Sequence, residues 1–157
     1  MRVALTIAGS DSGGGAGIQA DIKSMQANGA FAASVLTAIT AQNTQAVTAV
    51  HEVPLDIIAA QIDAVLSDIT VHAIKTGMLS SVGIISLVAE KLGGVGLPLV
   101  VDPVMISKSG FALLKPDAVG ALREQLLPLA TVVTPNAPEA AALTGLCLLY
   151  TSPSPRD

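Results

Sequence analysis

The rest of this chain is arranged around the segment Gly9-Ser10-Asp11-Ser12-Gly13-Gly14-Gly15-Ala16-Gly17-Ile18-Gln19-Ala20-Asp21. It follows a short apolar run at residues 3–8 and leads into a segment in which Ile18, Ile22 and Met25 recur at helical spacing. This order predicts a strand, a glycine loop and a helix, whose N-terminus points at whatever the loop binds. The alternative is that the glycines only make the turn tight. Neither standard nucleotide motif is present, because the glycines do not fall as G-x-G-x-x-G and no Lys-Ser or Lys-Thr follows at Walker A spacing.

The composition is that of a folded α/β domain. The chain has 157 residues, 51% of them hydrophobic and only 13% charged, which suits one domain and excludes a disordered chain. A net charge of −4, without any Lys/Arg cluster, argues against nucleic acid or an anionic membrane as partner. No apolar run approaches the roughly 18 residues of a membrane span. The single cysteine, Cys147, excludes an internal disulfide and a cysteine zinc site, and a cytoplasmic location is expected.

Apolar runs and helical periodicities alternate along the chain. The predicted strands are residues 3–8, 33–41, 71–75, 98–101 and 130–133, with residues 47–53 as a short extra strand. Five predicted helices alternate with these strands. The first follows the glycine loop and ends at Asn28-Gly29, and the second begins at Pro54-Leu55-Asp56. The third is capped by Ser80 or Ser81 and ended by Gly93-Gly94, the fourth is opened by Pro116-Asp117, and the fifth covers residues 136–144 and is closed by Gly145. This alternation predicts a largely parallel sheet with right-handed crossovers.

Polar residues follow most of these strands. Ligands of open parallel sheets bind at the carboxyl ends of the strands, so these residues are expected to converge along one edge. They are Asp11, Gln42, Asn43, Lys75, Thr76, Met78, Asp102, Thr134 and Asn136.

Each candidate also has a purely structural interpretation. Asn136-Ala137-Pro138-Glu139 has the spacing of a capping box. Asp102 before Pro103 is typical of a turn, Lys75 of a strand-end lysine that reaches solvent, and Asp21 of an acid that complements a helix dipole. His51 and His72 lack metal-type spacing and are interpreted as structural. Ser10 and Ser12 have no plausible histidine partner, which argues against a serine hydrolase.

Six segments of the chain, taken together and in order, carry a family resemblance. They are Leu5-Thr6-Ile7-Ala8-Gly9-Ser10-Asp11-Ser12, Gly14-Gly15-Ala16-Gly17-Ile18-Gln19-Ala20-Asp21, Thr37-Ala38-Ile39-Thr40-Ala41-Gln42-Asn43-Thr44, Ile74-Lys75-Thr76-Gly77-Met78-Leu79, Val101-Asp102-Pro103-Val104-Met105 with Ser107-Lys108-Ser109-Gly110, and Thr134-Pro135-Asn136-Ala137-Pro138-Glu139-Ala140. Over residues 4–145 the chain resembles the hydroxymethylpyrimidine/phosphomethylpyrimidine kinases of thiamine biosynthesis. Pyridoxal kinases of the same superfamily share several of these features and are the nearest competitor.

The resemblance implies a ribokinase-like three-layer α/β/α fold and two phosphorylations that use ATP and Mg²⁺. The first acts on 4-amino-5-hydroxymethyl-2-methylpyrimidine and the second on its monophosphate. The residues that the resemblance places in the pyrimidine pocket are Gly9, Ala16, Asp21, Gln42, Met78 and Val104. Those that it places by Mg-ATP are Lys75, Asp102, Asn136 and Glu139, with Asp102 and Glu139 as candidate metal ligands. The full-length protein is expected to be a homodimer.

The resemblance stops at Gly145. We therefore expect residues 1–145 to be the N-terminal part of one kinase domain, truncated at its C-terminal side, and residues 146–157 to be a non-homologous tail, either artefactual or disordered. Its Pro-Ser-Pro segment has linker-type composition, and a natural flexible C-terminus is the alternative. The resemblance implies that the other half of the family's sequence carries most of the nucleotide pocket, an anion hole and the catalytic base region. We therefore assign no catalytic residue to this chain and expect the chain alone to show negligible kinase activity. A pyridoxal-type kinase and a non-catalytic pyrimidine-binding domain stay open as alternatives.

Overall fold

Five parallel strands form the main sheet of the computed structural model, which describes residues 1–107 and 110–146. Across the sheet the order is β2 (Ala30–Leu36), β1 (Arg2–Ala8), β5 (Ala73–Thr76), β6 (Leu99–Val101) and β7 (Val132–Val133). Two further strands, β3 (Ala38–Gln42) and β4 (Val47–Glu52), form a separate antiparallel hairpin. Every pairing of the main sheet is parallel, which confirms the predicted α/β class.

The described residues also form five α-helices, four of which lie between strands and the last of which follows β7. They are α1 (Gly17–Ala27), α2 (Leu55–Asp68), α3 (Val82–Leu92), α4 (Ala118–Ala121) and α5 (Ala137–Thr144). The predicted helix ends are confirmed at three places. Helix α1 gives way to Asn28 and a left-handed Gly29, α3 ends at Gly93, and Gly145 closes α5 with a φ of 72°.

The two faces of the main sheet carry different chemistry. On one face, aliphatic residues of the strands pack with α2, α3 and α4 in a single apolar cluster, in which Leu5, Ile7, Ile58, Ile62 and Ile85 are fully buried. Because side chains alternate along a strand, the intervening residues of β1, Ala4, Thr6 and Ala8, point to the other face, where α1 lies. These residues are small or polar, so the polar chemistry of the sheet is concentrated under α1.

The predicted strand over residues 33–41 is wrong, because two strands occupy this region in different sheets. Strand β2 ends at Leu36 and β3 begins at Ala38, with Thr37 between them. The Thr37 amide donates to Ala8 O at 3.0 Å and its hydroxyl donates to Met78 O at 2.8 Å. These two bonds hold the chain where it leaves the main sheet. The apolar run crosses this point without a composition change, so its periodicity did not reveal the break.

Two helix predictions also need correction. The helix opened by Pro116-Asp117 is α-helical only over α4, after which Leu122–Leu126 form a π-turn and Leu127–Leu129 a 3-10 turn. Pro128 lacks the N–H that a continuing α-helix needs. Ser81 occupies the N-cap position of α3, but it makes no side-chain capping bond, and Ser80 donates to Glu52 instead.

Some sequence predictions lie outside the described residues. They are Lys108 and Ser109 of the fifth resembling segment, and residues 147–157 of the expected tail, including Cys147. Within the described part of the chain, no helix is both long and apolar enough to cross a membrane.

We predict that Gly17→Ala lowers the free energy of unfolding by more than about 2 kcal/mol. Gly17 has a φ of 55°, and an added Cβ would overlap the carbonyl oxygen of Gly9. Gly120→Ala in α4 is the matched control, because nothing lies within 4 Å of an added Cβ there. It should raise the stability by about 0.5–1 kcal/mol. Urea denaturation of both variants checks this, and equal stability of Gly17→Ala and the wild type would contradict it.

Candidate functional site

A cleft of about 580 Å³ opens at the carboxyl end of the main sheet, between the glycine loop, the β3–β4 hairpin and the segment after β6. It contains all six residues predicted for the pyrimidine pocket, namely Gly9, Ala16, Asp21, Gln42, Met78 and Val104. Lys75 and Asp102 line the same cleft. The predicted convergence at this edge therefore holds for residues from five separate segments, whereas Thr76, Thr134 and Asn136 do not line the cleft.

The glycine loop is organised by the carboxylate of Asp11, which is only 5% exposed. Asp11 Oδ1 accepts from the Gly13 amide at 2.8 Å, and Oδ2 accepts from the amides of Gly15 and Ala16 at 2.9 and 2.8 Å. The Asp11 amide donates to Gln19 of α1 at 2.8 Å. An internal carboxylate thus occupies the site that glycine-loop amides and a helix N-terminus offer to an anion.

This arrangement decides between two interpretations of the loop. Three of its backbone donors already have an anionic acceptor, so they do not form a vacant phosphate cradle. Glycine at position 9 lets the loop approach Met78 closely, because a Cβ there would lie 2.8 Å from Met78 Cε and would displace the end of that side chain. The loop is therefore a rigid wall of the cleft that lies against Met78.

Ser12 joins this wall to the hairpin. Its hydroxyl donates to Gln42 O at 2.6 Å and accepts from the Gln42 amide at 2.8 Å. This backbone clasp is structural, in agreement with the argument against a serine nucleophile. It also fixes the position of Gln42 at the cleft. The side-chain oxygen of Gln42 accepts only a long bond from Thr40 at 3.3 Å, and its amide nitrogen makes no bond within the described residues.

A network of charged groups forms the opposite wall, on the face covered by α1. Lys75 Nζ lies 3.0 Å from both carboxylate oxygens of Asp21 and 3.4 Å from Asp102 Oδ2. The Thr6 hydroxyl donates to Asp21 Oδ2 at 2.6 Å. Thr6 and Lys75 are register partners in β1 and β5, so both point at the same helix residue.

These contacts settle two of the structural alternatives. Lys75 does not reach into solvent, because its side chain is 21% exposed and paired with two acids. Asp21 does not lie in the first turn of α1, so complementing the helix dipole is not its role. The turn interpretation of Asp102 is compatible with its other contacts, since its carbonyl accepts from Val104 N at 2.9 Å while its carboxylate faces Lys75.

The predicted capping box at the start of α5 is confirmed. Asn136 Oδ1 accepts from the Glu139 amide at 2.9 Å, and Glu139 Oε2 accepts from the Asn136 amide at 2.9 Å. Glu139 is 6% exposed, and its Oε1 accepts a long bond of 3.4 Å from Met105 N. The box therefore contacts the segment that forms one side of the cleft, although neither of its two residues lines the cleft itself.

The candidate magnesium ligands were tested against this geometry. Within residues 1–107 and 110–146, no group of three or more His, Cys, Asp or Glu is arranged to hold a metal ion. Mg²⁺ commonly uses one or two carboxylates and completes its shell with water and phosphate oxygens. Asp102, whose side chain is 33% exposed at the cleft, fits this use. Glu139 is 6% exposed and does not line the cleft, so it fits only a contact through water.

Behind the cleft, the hairpin is fastened to the rest of the chain by Glu52 at the end of β4. Glu52 Oε1 lies 2.9 Å from Lys115 Nζ and accepts from the Ser80 hydroxyl at 2.8 Å. The Lys115 amide in turn donates to Ser80 O at 3.0 Å. The hydrogen bonds from Lys115 and Ser80 lower the pKa of Glu52 below its usual value of 4.5. The ionised form of Glu52 therefore holds the hairpin in position.

The two histidines lie in different surroundings. His72 Nδ1 accepts from the Val3 amide at 3.2 Å, a structural bond at the start of β1. His51 is exposed on β4.

Comparison with known proteins identifies the family. The model of the family described as phosphomethylpyrimidine kinase matches residues 11–152. The chain belongs to this family. It is 61% identical over 143 residues to a hydroxymethylpyrimidine/phosphomethylpyrimidine kinase of Rhizobium meliloti, covering 91% of this chain and 54% of the relative. A protein of the same name from Escherichia coli is 51% identical over 141 residues, covering 89% and 53%. The chain thus spans about half the length of the curated relatives it matches.

Solved structures give the same result for the fold. A phosphomethylpyrimidine kinase from Clostridium difficile is 54% identical with a TM-score of 0.87, covering 93% of this chain and 64% of that one. A pyridoxal kinase from Staphylococcus aureus in complex with pyridoxal is 40% identical with a TM-score of 0.83, covering 92% and 54%. These neighbours confirm the ribokinase-like fold expected from the resemblance.

Sequence reasoning missed two residues of the site. Thr6 stands in an apolar run that predicts only a strand, and the one signal in the sequence is a polar residue within that run. Asp11 is predicted at the correct edge of the sheet, but without a role. Its spacing of two, four and five residues before glycine-loop amides is typical of a side chain that binds its own loop.

We predict that Asp11→Ala lowers the free energy of unfolding by about 1–3 kcal/mol, because three amides lose a buried charged acceptor. Asp56→Ala is the matched control, since Asp56 lies in the first turn of α2 but is exposed. It should cost less than about 1 kcal/mol. Chemical denaturation of the two variants measures the difference, and a similar small loss for both would show that Asp11 does not organise the loop.

The lowered pKa of Glu52 predicts a pH-dependent contribution to stability. A carboxylate whose pKa is lower in the folded state stabilises the fold above its ordinary value of 4.5. This contribution is lost as the pH falls through the folded-state pKa. The wild type should therefore lose more stability than Glu52→Gln between pH 7 and pH 3 in denaturant titrations. Parallel pH profiles for the two proteins would refute the proposed role of this carboxylate.

Proposed function

We propose that the protein represented by this chain phosphorylates 4-amino-5-hydroxymethyl-2-methylpyrimidine, and then its monophosphate, with ATP. One observation carries this proposal. The six residues that the family resemblance assigns to the pyrimidine pocket come from five separate segments and line one cleft. Family membership supports the same reaction, because the relatives that match most of the chain are named as kinases of this pyrimidine and its phosphate.

The chemistry of the cleft suits an aminopyrimidine. Gly9, Ala16, Met78 and Val104 provide apolar walls against which a flat ring can pack. The amide of Gln42 can donate to a ring nitrogen and accept from the neighbouring amino group. Asp21 provides a carboxylate oxygen that can accept from an amino or hydroxyl hydrogen. The β3–β4 hairpin and the glycine loop hold these groups in a fixed arrangement through the Ser12 clasp.

The phosphate side of the reaction is assigned to Lys75, Asp102, Asn136 and Glu139. Lys75 supplies the positive charge of the cleft and can exchange an acid partner for a phosphate oxygen. Asp102 would hold Mg²⁺ directly and Glu139 through water, while the N-terminus of α5 behind Asn136 favours negative charge. A bound Mg²⁺ neutralises the charge that phosphoryl transfer develops on the phosphate oxygens. We assign no catalytic base to this chain.

Pyridoxal is the second candidate substrate. Pyridoxal kinases from Bacillus subtilis and Staphylococcus aureus share the fold at TM-scores of 0.82 and 0.83, with 46% and 40% identity. Pyridoxal, like the pyrimidine, presents a hydroxymethyl group on a flat heteroaromatic ring. Only the pyrimidine has an amino group next to a ring nitrogen, a pair that the Gln42 amide is suited to recognise. This difference favours the pyrimidine.

We predict that the 157-residue chain binds the pyrimidine alcohol more tightly than pyridoxal in isothermal titration calorimetry. Gln42→Ala should weaken pyrimidine binding by about tenfold or more, because the amino edge loses a paired hydrogen-bonding group. Gln45→Ala is the matched control. Gln45 lies in the same hairpin, is exposed and does not line the cleft, so its substitution should leave binding unchanged.

Two results would contradict the proposal. Preferential binding of pyridoxal would favour the second candidate, and a folded chain that binds neither compound would favour a different activity. Phosphoryl transfer is tested in a chimera in which residues 1–145 replace the matching segment of the Rhizobium meliloti relative. ATP-dependent phosphorylation of the pyrimidine alcohol and its monophosphate by this chimera is the expected result. A homodimeric state and a cytoplasmic location stay predictions for the full-length protein.

A further inference from the structure

We propose that Thr6 is a positioning residue of the site. Its hydroxyl fixes the carboxylate of Asp21, so that one oxygen of Asp21 stays available to accept a hydrogen bond from the substrate. Thr6 does not line the cleft and acts only through Asp21. The inference rests on the proposed function in one respect, since it takes the substrate of the cleft to be the aminopyrimidine alcohol.

Thr6 can make this contact because of its place in the sheet. It is fully buried in the middle of β1, on the face that α1 covers, and lies opposite Lys75 in the register of β1 and β5. A threonine in a strand has little freedom at χ1, because two heavy atoms branch from its Cβ. The hydroxyl is therefore held at one point beneath α1, where it donates to Asp21 Oδ2 at 2.6 Å.

The bonds to Asp21 are distributed unequally between its two oxygens. Oδ2 accepts from both Thr6 and Lys75, whereas Oδ1 accepts from Lys75 alone. Each carboxylate oxygen offers two acceptor positions, so within the described contacts Oδ2 is saturated and Oδ1 has one position left. The Asp21 side chain is 17% exposed and contributes to the cleft wall. The free position of Oδ1 thus selects a ligand with an amino or hydroxyl hydrogen.

Lys75 alone would not hold this orientation. Its ammonium group is shared with Asp102 at 3.4 Å, and it sits on a flexible four-carbon chain. Without the Thr6 hydroxyl, the Asp21 carboxylate could rotate about its own bonds and follow Lys75 between positions. The Thr6 bond is short and made to a charged acceptor, which places it among the stronger hydrogen bonds of proteins. It therefore supplies the second fixed point that defines the direction of Oδ1.

The competing explanation is that Asp21 only satisfies a buried hydroxyl. Stability measurements do not separate the two explanations, because both involve loss of the same hydrogen bond. Ligand affinity and the position of Asp21 do separate them. The chain offers a matched control in Thr76, which is also fully buried, lies in the adjacent strand on the other face, and has a hydroxyl with no partner within the described residues.

The test compares Thr6→Val, Thr6→Ser and Thr76→Val in the 157-residue chain. Calorimetric titration with 4-amino-5-hydroxymethyl-2-methylpyrimidine gives the affinity, thermal unfolding verifies that each variant is folded, and crystal structures give the position of Asp21. Thr6→Val keeps the side-chain shape but removes the donor, so affinity should fall about tenfold and Asp21 should leave its wild-type rotamer. Thr6→Ser keeps the donor but loses the χ1 restriction of a branched side chain, so the bond to Asp21 must orient the hydroxyl and affinity should return only to within about threefold of the wild type. Thr76→Val should bind as the wild type does.

Wild-type affinity in a folded Thr6→Val variant would overturn the proposal, and so would a loss of affinity that Thr6→Ser does not rescue. If the wild-type chain does not bind the pyrimidine at all, the proposed function fails rather than this inference. In that case the crystal structures decide. An unchanged Asp21 rotamer in Thr6→Val would refute the positioning role, and a displaced one would support it.

Discussion

The buried carboxylate of Asp11 is the interaction on which the rest of the site depends. By accepting three amides of the glycine loop, it fixes the loop before any ligand arrives. Gly9 can then lie against Met78, and Gly17 can turn the chain into α1, which carries Asp21 to the cleft. The negative charge also lies at the positive end of α1, where a helix favours it. The loop resembles a phosphate-binding loop, but three of its amides donate to Asp11, so it serves as a structural wall of the cleft.

The second organising feature is the balance of charge in the cleft. Lys75 lies between Asp21, which we propose faces the ring, and Asp102, which we propose faces the phosphate, so one ammonium group would link the two halves of the proposed reaction. These three groups together carry a charge of −1, and ion pairs already hold them in place. Such an arrangement costs little reorganisation when a ligand binds, which is what positioning for phosphoryl transfer requires.

Much of this molecule could be predicted from its sequence. The glycine loop between a strand and a helix, the alternation of elements and the box at Asn136 are local patterns, and the structure contains them. The break at Thr37 and the π-turn after α4 are not local, since each depends on hydrogen bonds or packing with distant segments. The contacts within the site also join segments that are distant along the chain. The family resemblance gave six residues that line the cleft, but the partners that hold them, such as Thr6, come from pairings that no spacing along the chain records.

The small residues of β1 beneath α1 affect how closely the helix can approach the sheet. Ala4 and Ala8 flank Thr6 on this face and offer only methyl groups to the helix. Because both side chains are small, they leave room for α1 to lie close to this face, where an aspartate, with its single methylene, reaches from helix to strand. A larger side chain at either alanine would widen the gap and separate Asp21 from Thr6, although every polar group of the site remained. The position of Asp21 in the cleft therefore depends partly on residues that have no functional group.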